Sequence, residues 1–187
     1  DMSRFQLFDT PLAGLKMVQY RRQKDERGFF SRMFCSDELQ AAGWNKPIAQ
    51  INQTLTRRSG AVRGMHFQFP PHAEMKLVNC VRGEVWDVAV DLRKGSPTFL
   101  KWFGVQLSPE NGRALLIPEG FAHGFQTLAP DSELIYFHNC AYHPDSEGAL
   151  HVNEPLASID WPRPVTELSA RDQAHPVLSP SFEGITL

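Results

Sequence analysis

Cysteine pairs, long apolar runs and an excess of either charge are all missing from this sequence. Its three cysteines, Cys35, Cys80 and Cys140, stand far apart without C-x-x-C spacing, and an odd number cannot all pair within one chain. Reduced, buried thiols are expected. No stretch comes near the run of about 18 apolar residues that a spanning helix needs, and the N-terminus lacks the basic and apolar regions of a secretion signal. The expected location is the cytoplasm. Formal net charge is −2 over 187 residues, so no broad positive field holds nucleic acid or an anionic membrane. An anionic ligand has to be met by a local group of arginines and lysines. Internal repeats, low-complexity tracts, GxxxxGKS, GxGxxG, GxSxG and HExxH are absent too, which removes the common phosphate loops, the nucleophile elbow and the zinc-protease helix.

What is present suits one β-rich domain spanning residues 1–187. The length is that of a single core, and 13 Phe, 4 Trp and 3 Tyr within 42% apolar residues are enough to fill it. With 13 Gly and 14 Pro, about one residue in seven is a turn former, which favours short segments joined by tight turns. An apolar opening (Phe5 to Val18), a polar stretch ending at Gly28 and a run from Phe29 to Phe34 read as strand, turn, strand. Asp37–Ala42 before Gly43 is the best helix candidate. From Ile48 onward, short β-type runs follow one another: 48–55, 61–68, 75–81, 84–92, 99–107, 113–117, 124–128 and 133–140, with turn residues between them. This pattern predicts an antiparallel sandwich or barrel. In 85–92, Val85, Asp87, Ala89 and Asp91 alternate with Trp86, Val88, Val90 and Leu92, so one face is more polar. From about residue 143 the chain is proline-rich and irregular, with a helical turn expected in 167–174.

The stretch Pro118-Glu-Gly-Phe-Ala-His123-Gly-Phe-Gln-Thr127 resembles the second motif of the cupin superfamily, and Gly64-Met-His66-Phe-Gln68 occupies the place of the first. Only one histidine of the usual first-motif pair is present. Metals in such sites need three or four converging ligands, so an all-β, cupin-type jelly roll without metal is expected. A narrower resemblance runs through nearly the whole chain in order. Asp25-Glu-Arg27-Gly28-Phe-Phe30, Gln50-Ile-Asn52, Val62-Arg63-Gly64-Met65-His66-Phe67-Gln68, Lys76-Leu77-Val78, Gly95-Ser-Pro97-Thr98-Phe99, Tyr136, Tyr142, Glu147-Gly148 and Leu168-Ser169-Ala-Arg171-Asp172 together resemble the dTDP-4-dehydrorhamnose 3,5-epimerase family. The resemblance implies a homodimer that epimerises a nucleotide diphosphate-linked 4-keto-6-deoxyhexose at C3, C5 or both, without metal or organic cofactor.

The chemistry asks for specific residue types. A C4 ketone acidifies the hydrogens on C3 and C5, because the carbanion delocalises onto oxygen as an enolate. Epimerisation then needs a base on one face, a donor or cation at the enolate oxygen and an acid on the other face. By resemblance, His66 is the base, Asp172 the carboxylate that orients it, Lys76 the enolate-stabilising cation and Tyr136 the acid. Arg27, Arg63 and Arg171 are the candidates for the diphosphate. Phe30, Gln50, Asn52, His123, Tyr142 and Glu147 match other ligand-facing positions. Arg32 stands where the family commonly has a glutamate in the nucleotide pocket, so it is expected to change base preference or add a phosphate contact. The residues near Val152 and Glu154 also depart from the family pattern, which leaves the sugar open. Alternatives are a single-carbon epimerase or ketoisomerase acting on another nucleotide such as CDP, a non-catalytic sugar-nucleotide binder, and a metal-dependent cupin.

Overall fold

The computed structural model of the chain describes residues 3–187. Thirteen strands follow in order: β1 (Phe5–Asp9), β2 (Lys16–Tyr20), β3 (Gln23–Asp25), β4 (Gly28–Phe30), β5 (Gln50–Thr56), β6 (Val62–Gln68), β7 (Lys76–Arg82), β8 (Val85–Asp91), β9 (Trp102–Leu107), β10 (Arg113–Ile117), β11 (Phe121–Thr127), β12 (Ser132–His138) and β13 (Glu147–Ala149). The two short helices are α1 (Ser36–Leu39) and α2 (Ala170–Gln173). A six-stranded antiparallel sheet, β1-β2-β10-β7-β12-β5, faces a five-stranded one, β13-β6-β11-β8-β9. This is the expected cupin-type jelly roll.

One apolar cluster lies between the sheets, built from β7 to β12 by residues such as Val78, Val85, Leu107, Leu115, Phe125 and Leu134. A second covers the outer face of the five-stranded sheet. There Leu150, Val152, Ala157, Ile159 and Ile185 of the proline-rich segment pack on Val62, Met65, Val88 and Val90. The irregular C-terminal segment is therefore the back wall of the barrel. Glu154 pins it from inside, fully buried and accepting the backbone N–H groups of Leu156 at 3.1 Å and Leu178 at 2.7 Å. A third cluster seats Leu39 and Trp44, around α1, on the other sheet. The predicted helix appears as α1 and a 3-10 turn that stops at Gly43, whose φ of +102° suits glycine.

One expectation gains a location and another changes. The more polar face of β8 is internal, since Asp87 and Asp91 are both fully buried. Asp87 points into the barrel, while Asp91 is satisfied by Arg93, Ser96 and Thr98 at a turn. The N-terminal strand-turn-strand is in fact two hairpins, β1–β2 on the sheet edge and a separate β3–β4. In the second, Phe29 and Phe30 are 61% and 63% exposed.

Candidate active site

Three adjoining hollows meet at His66. The innermost, of about 230 Å³, is lined by Asn52, Thr54, Arg63, His66, Lys76, His123, Tyr136 and His138. Strand alternation explains most of this wall. Cross-strand register sets His138 opposite both Gln50 and Lys76, and Tyr136 opposite Asn52, so residues two apart on each strand share the inner face.

Strand β6 needs a different account, because Arg63 and His66 are three apart and in a regular strand would face opposite ways. Against β11, His66 pairs with His123 but Arg63 pairs with Phe125, so β6 carries one extra residue there. This bulge turns both side chains into the same cavity. It depends on Gly64, where φ is +142° and an added Cβ would lie 2.7 Å from the Cα of Gly124. The bulge also releases the Gly64 N–H from the ladder, and that group donates to Asp172 Oδ2 at 3.1 Å.

Asp172 arrives on α2, where the hydroxyl of Ser169 accepts its backbone N–H at 3.0 Å. His66 Nε2 lies 2.9 Å from Asp172 Oδ1, and His175 Nε2 lies 2.8 Å from the same oxygen. Burial alone would raise the Asp172 carboxyl, but the bonds from His66, Gly64 and His175 and the charge of His66 outweigh it and hold it at about 2. An ionised carboxylate only accepts hydrogen bonds. Both Nε2 atoms must therefore carry hydrogens, and neutral His66 keeps its lone pair on Nδ1.

On the opposite wall, Tyr136 OH is 3.3 Å from Thr54 Oγ1. Burial pushes its phenol well above the ordinary value, so it stays protonated near neutrality and is suited to act as an acid. Lys76 Nζ lies 3.5 Å from Glu74 Oε1, both side chains being only 10% exposed. Burial would raise Glu74, but its bond from His138, the charge of Lys76 and the charge of His138 together hold it below the usual carboxylate range. Ionised Glu74 accepts from His138 Nδ1 at 3.0 Å, leaving Nε2 of a neutral His138 to accept from Asn52 Nδ2 at 3.3 Å. His123 Nε2 meets Asp87 Oδ1 at 2.6 Å. Burial moves this pair towards its neutral forms, raising Asp87 and lowering His123, against the attraction each exerts on the other.

At the mouth, Tyr142 donates from its hydroxyl to Glu147 at 2.9 Å and from its backbone N–H to Gln50 at 3.0 Å. Arg171 pairs with Glu147. Arg63 donates to Thr56 Oγ1 at 2.9 Å and to the carbonyl of Leu55 at 3.1 Å. Thus His66, Lys76, Tyr136, Asp172, Gln50, Asn52, Arg63, His123, Tyr142, Glu147 and Arg171 come together. Arg27, Phe30 and Arg32 do not join them within one chain. Arg27 and Phe30 sit on the outlying β3–β4 hairpin, where Arg27 pairs with its neighbour Asp25 at 2.6 Å. Arg32 pairs with Glu38 in the first turn of α1 at 3.0 Å. Sequence reading passed over Glu74, Asp87, His138 and His175. The signals were spacings: Glu74 and Lys76 two apart at the start of a strand, and His175 three after Asp172 on a helical turn.

The sequence profile of the dTDP-4-dehydrorhamnose 3,5-epimerase family matches residues 9–180. The dTDP-4-dehydrorhamnose 3,5-epimerase of Salmonella typhimurium is 46% identical over 156 residues, 82% of this chain and 85% of that protein. Among solved structures, the dTDP-4-dehydrorhamnose 3,5-epimerase of Elizabethkingia anophelis superposes with a TM-score of 0.90 at 37% identity, covering 96% of this chain and 100% of that one. The dTDP-6-deoxy-D-glucose-3,5-epimerase of Legionella pneumophila, in complex with dTDP-4-keto-L-rhamnose, gives a TM-score of 0.87 at 39% identity, with 92% of each chain covered.

Proposed function

The chain belongs to the dTDP-4-dehydrorhamnose 3,5-epimerase family and is an isomerase of that kind, and from this premise we propose how its own residues invert a dTDP-linked 4-keto-6-deoxyhexose. One observation carries the reading: the imidazole of His66, its Nε2 taken by ionised Asp172, shares a cavity with the protonated phenol of Tyr136 on the opposite wall.

His66 Nδ1 removes the proton from C5 or C3 as general base. Its imidazolium is stabilised by Asp172, and the negative charge moves to the C4 oxygen. Lys76, buried on β7, meets that enolate oxygen, where a fixed cation in a dry site lowers the barrier most. Tyr136 then protonates the carbon from the other face, inverting it. Arg63 and Arg171 take the diphosphate as planar, multidentate donors, while Gln50, Asn52, His123, Tyr142 and Glu147 fix the sugar and nucleotide. No protein-bound cofactor enters this scheme.

A second copy of the chain completes the site in this reading. Two largely exposed phenylalanines beside Arg27 on a projecting hairpin, and 56%-exposed Ile51 on the edge strand β5, suit a homodimer in which Arg27 and Phe30 reach the partner's cavity. The test is incubation with the dTDP-linked 4-keto sugar in deuterated water, followed by NMR. Deuterium at both C3 and C5 is expected, and its loss in His66→Ala. Incorporation at one carbon would make the enzyme a mono-epimerase, and unaltered exchange in His66→Ala would remove the mechanism.

A further inference from the structure

His175 is not needed for the proton transfers above, yet it is 11% exposed and aimed at the same oxygen as the base. We propose that His66, Asp172 and His175 form a binding site for one divalent transition-metal ion of the zinc class, and that the bound ion switches the epimerase off.

The donor set is two imidazole nitrogens and one carboxylate oxygen, all within 4.8 Å of one another. Two imidazoles and a carboxylate suit zinc and its neighbours better than magnesium or calcium. Each nitrogen is already close to ligand spacing from the carboxylate oxygen, and the two nitrogens lie within 4.8 Å of each other. In a tetrahedral zinc site with bonds of about 2.0–2.1 Å, neighbouring ligand atoms lie about 3.3 Å apart, so the 2.9 and 2.8 Å separations about Asp172 Oδ1 widen by roughly 0.5 Å. The rings stand edge-on, with centroids 5.4 Å apart and planes at 88°, so neither ring blocks the other's Nε2. The Gly64 N–H on Asp172 Oδ2 fixes the carboxylate from behind, as outer partners of metal ligands do. With only three protein ligands, the fourth position opens on the side of His66, which is 40% exposed to the cavity.

This grouping is not the cupin metal arrangement that the motifs suggest. Of those motif histidines, His123 is engaged by Asp87 and stands outside the group. Inhibition follows from the tautomer. A metal on Nε2 of neutral His66 leaves the remaining ring proton on Nδ1, and the base loses the lone pair it uses. That consequence rests on the proposed role of His66; the binding itself does not.

Equilibrium dialysis of the untagged, full-length protein against Zn²⁺ at neutral pH tests the site, with the visible d–d bands of Co²⁺ as a second readout of tetrahedral nitrogen–oxygen ligation. One ion per chain is expected, with affinity at least about tenfold weaker in His175→Gln. Glutamine can still donate an amide hydrogen to Asp172, so thermal melting of this variant confirms that the fold is kept. His66→Ala is expected to lose binding likewise. Solvent deuterium exchange into the sugar should fall in proportion to occupancy and return with a chelator. No stoichiometric binding, or binding undiminished in both variants, overturns the site. Full occupancy with undiminished exchange overturns the switch and leaves the site standing.

Discussion

At the residue scale, Asp172 links stability to pH. Its carboxyl lies below the ordinary value, at about 2, so its contribution is present above the unfolded value of about 3.9 and is lost as pH falls through that window towards 2. Acid unfolding followed by circular dichroism should therefore show a shallower slope between about pH 4 and 2 in Asp172→Asn than in the parent. The same variant is expected to lose about 100-fold or more in rate, because an amide neither fixes the His66 tautomer nor balances an imidazolium. Tyr136 behaves in the opposite sense, its phenol being raised by burial. Tyr136→Phe should remove the acid while leaving the base. Rapid loss of deuterium or tritium label from substrate, with epimer formation slowed about 100-fold, would mark that division.

Among the elements, β6 is the one on which the site turns. Gly64→Ala places a Cβ 2.7 Å from the Gly124 backbone at a φ of +142°. It should cost at least about 2 kcal/mol, a fall of roughly 4–8 °C in Tm by calorimetry, with activity falling further as Arg63 and His66 lose their common face. Strand positions were legible because apolar alternation and turn residues recur along 48–140. The bulge was not, since an extra residue leaves no mark on composition and shows only against the register of β11. The same limit hid Glu74 and His138, which become partners only when β7 and β12 are laid side by side. The β3–β4 hairpin was not separable from its neighbours for another reason: a run from Phe29 to Phe34 reads as a strand, and hydrophobicity alone does not distinguish an internal core from a surface awaiting a partner.

For the whole molecule, that surface predicts assembly. Analytical ultracentrifugation is expected to show a dimer, and Phe29→Asp with Phe30→Asp to shift it to the monomer; a monomeric parent would count against the shared site. The residues of the barrel wall and mouth were readable by family resemblance because they lie on ordered strands and turns. The pairing of Asp172 with His66, 106 positions earlier in the chain, was legible by resemblance. What sequence did not disclose is that the proline-rich segment carrying it, apart from one helical turn read as irregular, covers one sheet with Leu150, Val152, Ile159 and Ile185.

That separation of Asp172 from His66 makes activity depend on a segment outside the strands. A chain cut short before α2 keeps every strand of the barrel, including His66, Lys76 and Tyr136, but lacks the carboxylate assigned above to orienting His66. A single protease cut in the exposed Pro162–Thr166 stretch, between the barrel strands and Asp172, should leave the carboxylate in place at first, because Ile185 and the Leu178 N–H stay docked on the barrel; proton exchange is expected to be lost only when the clipped piece is stripped away.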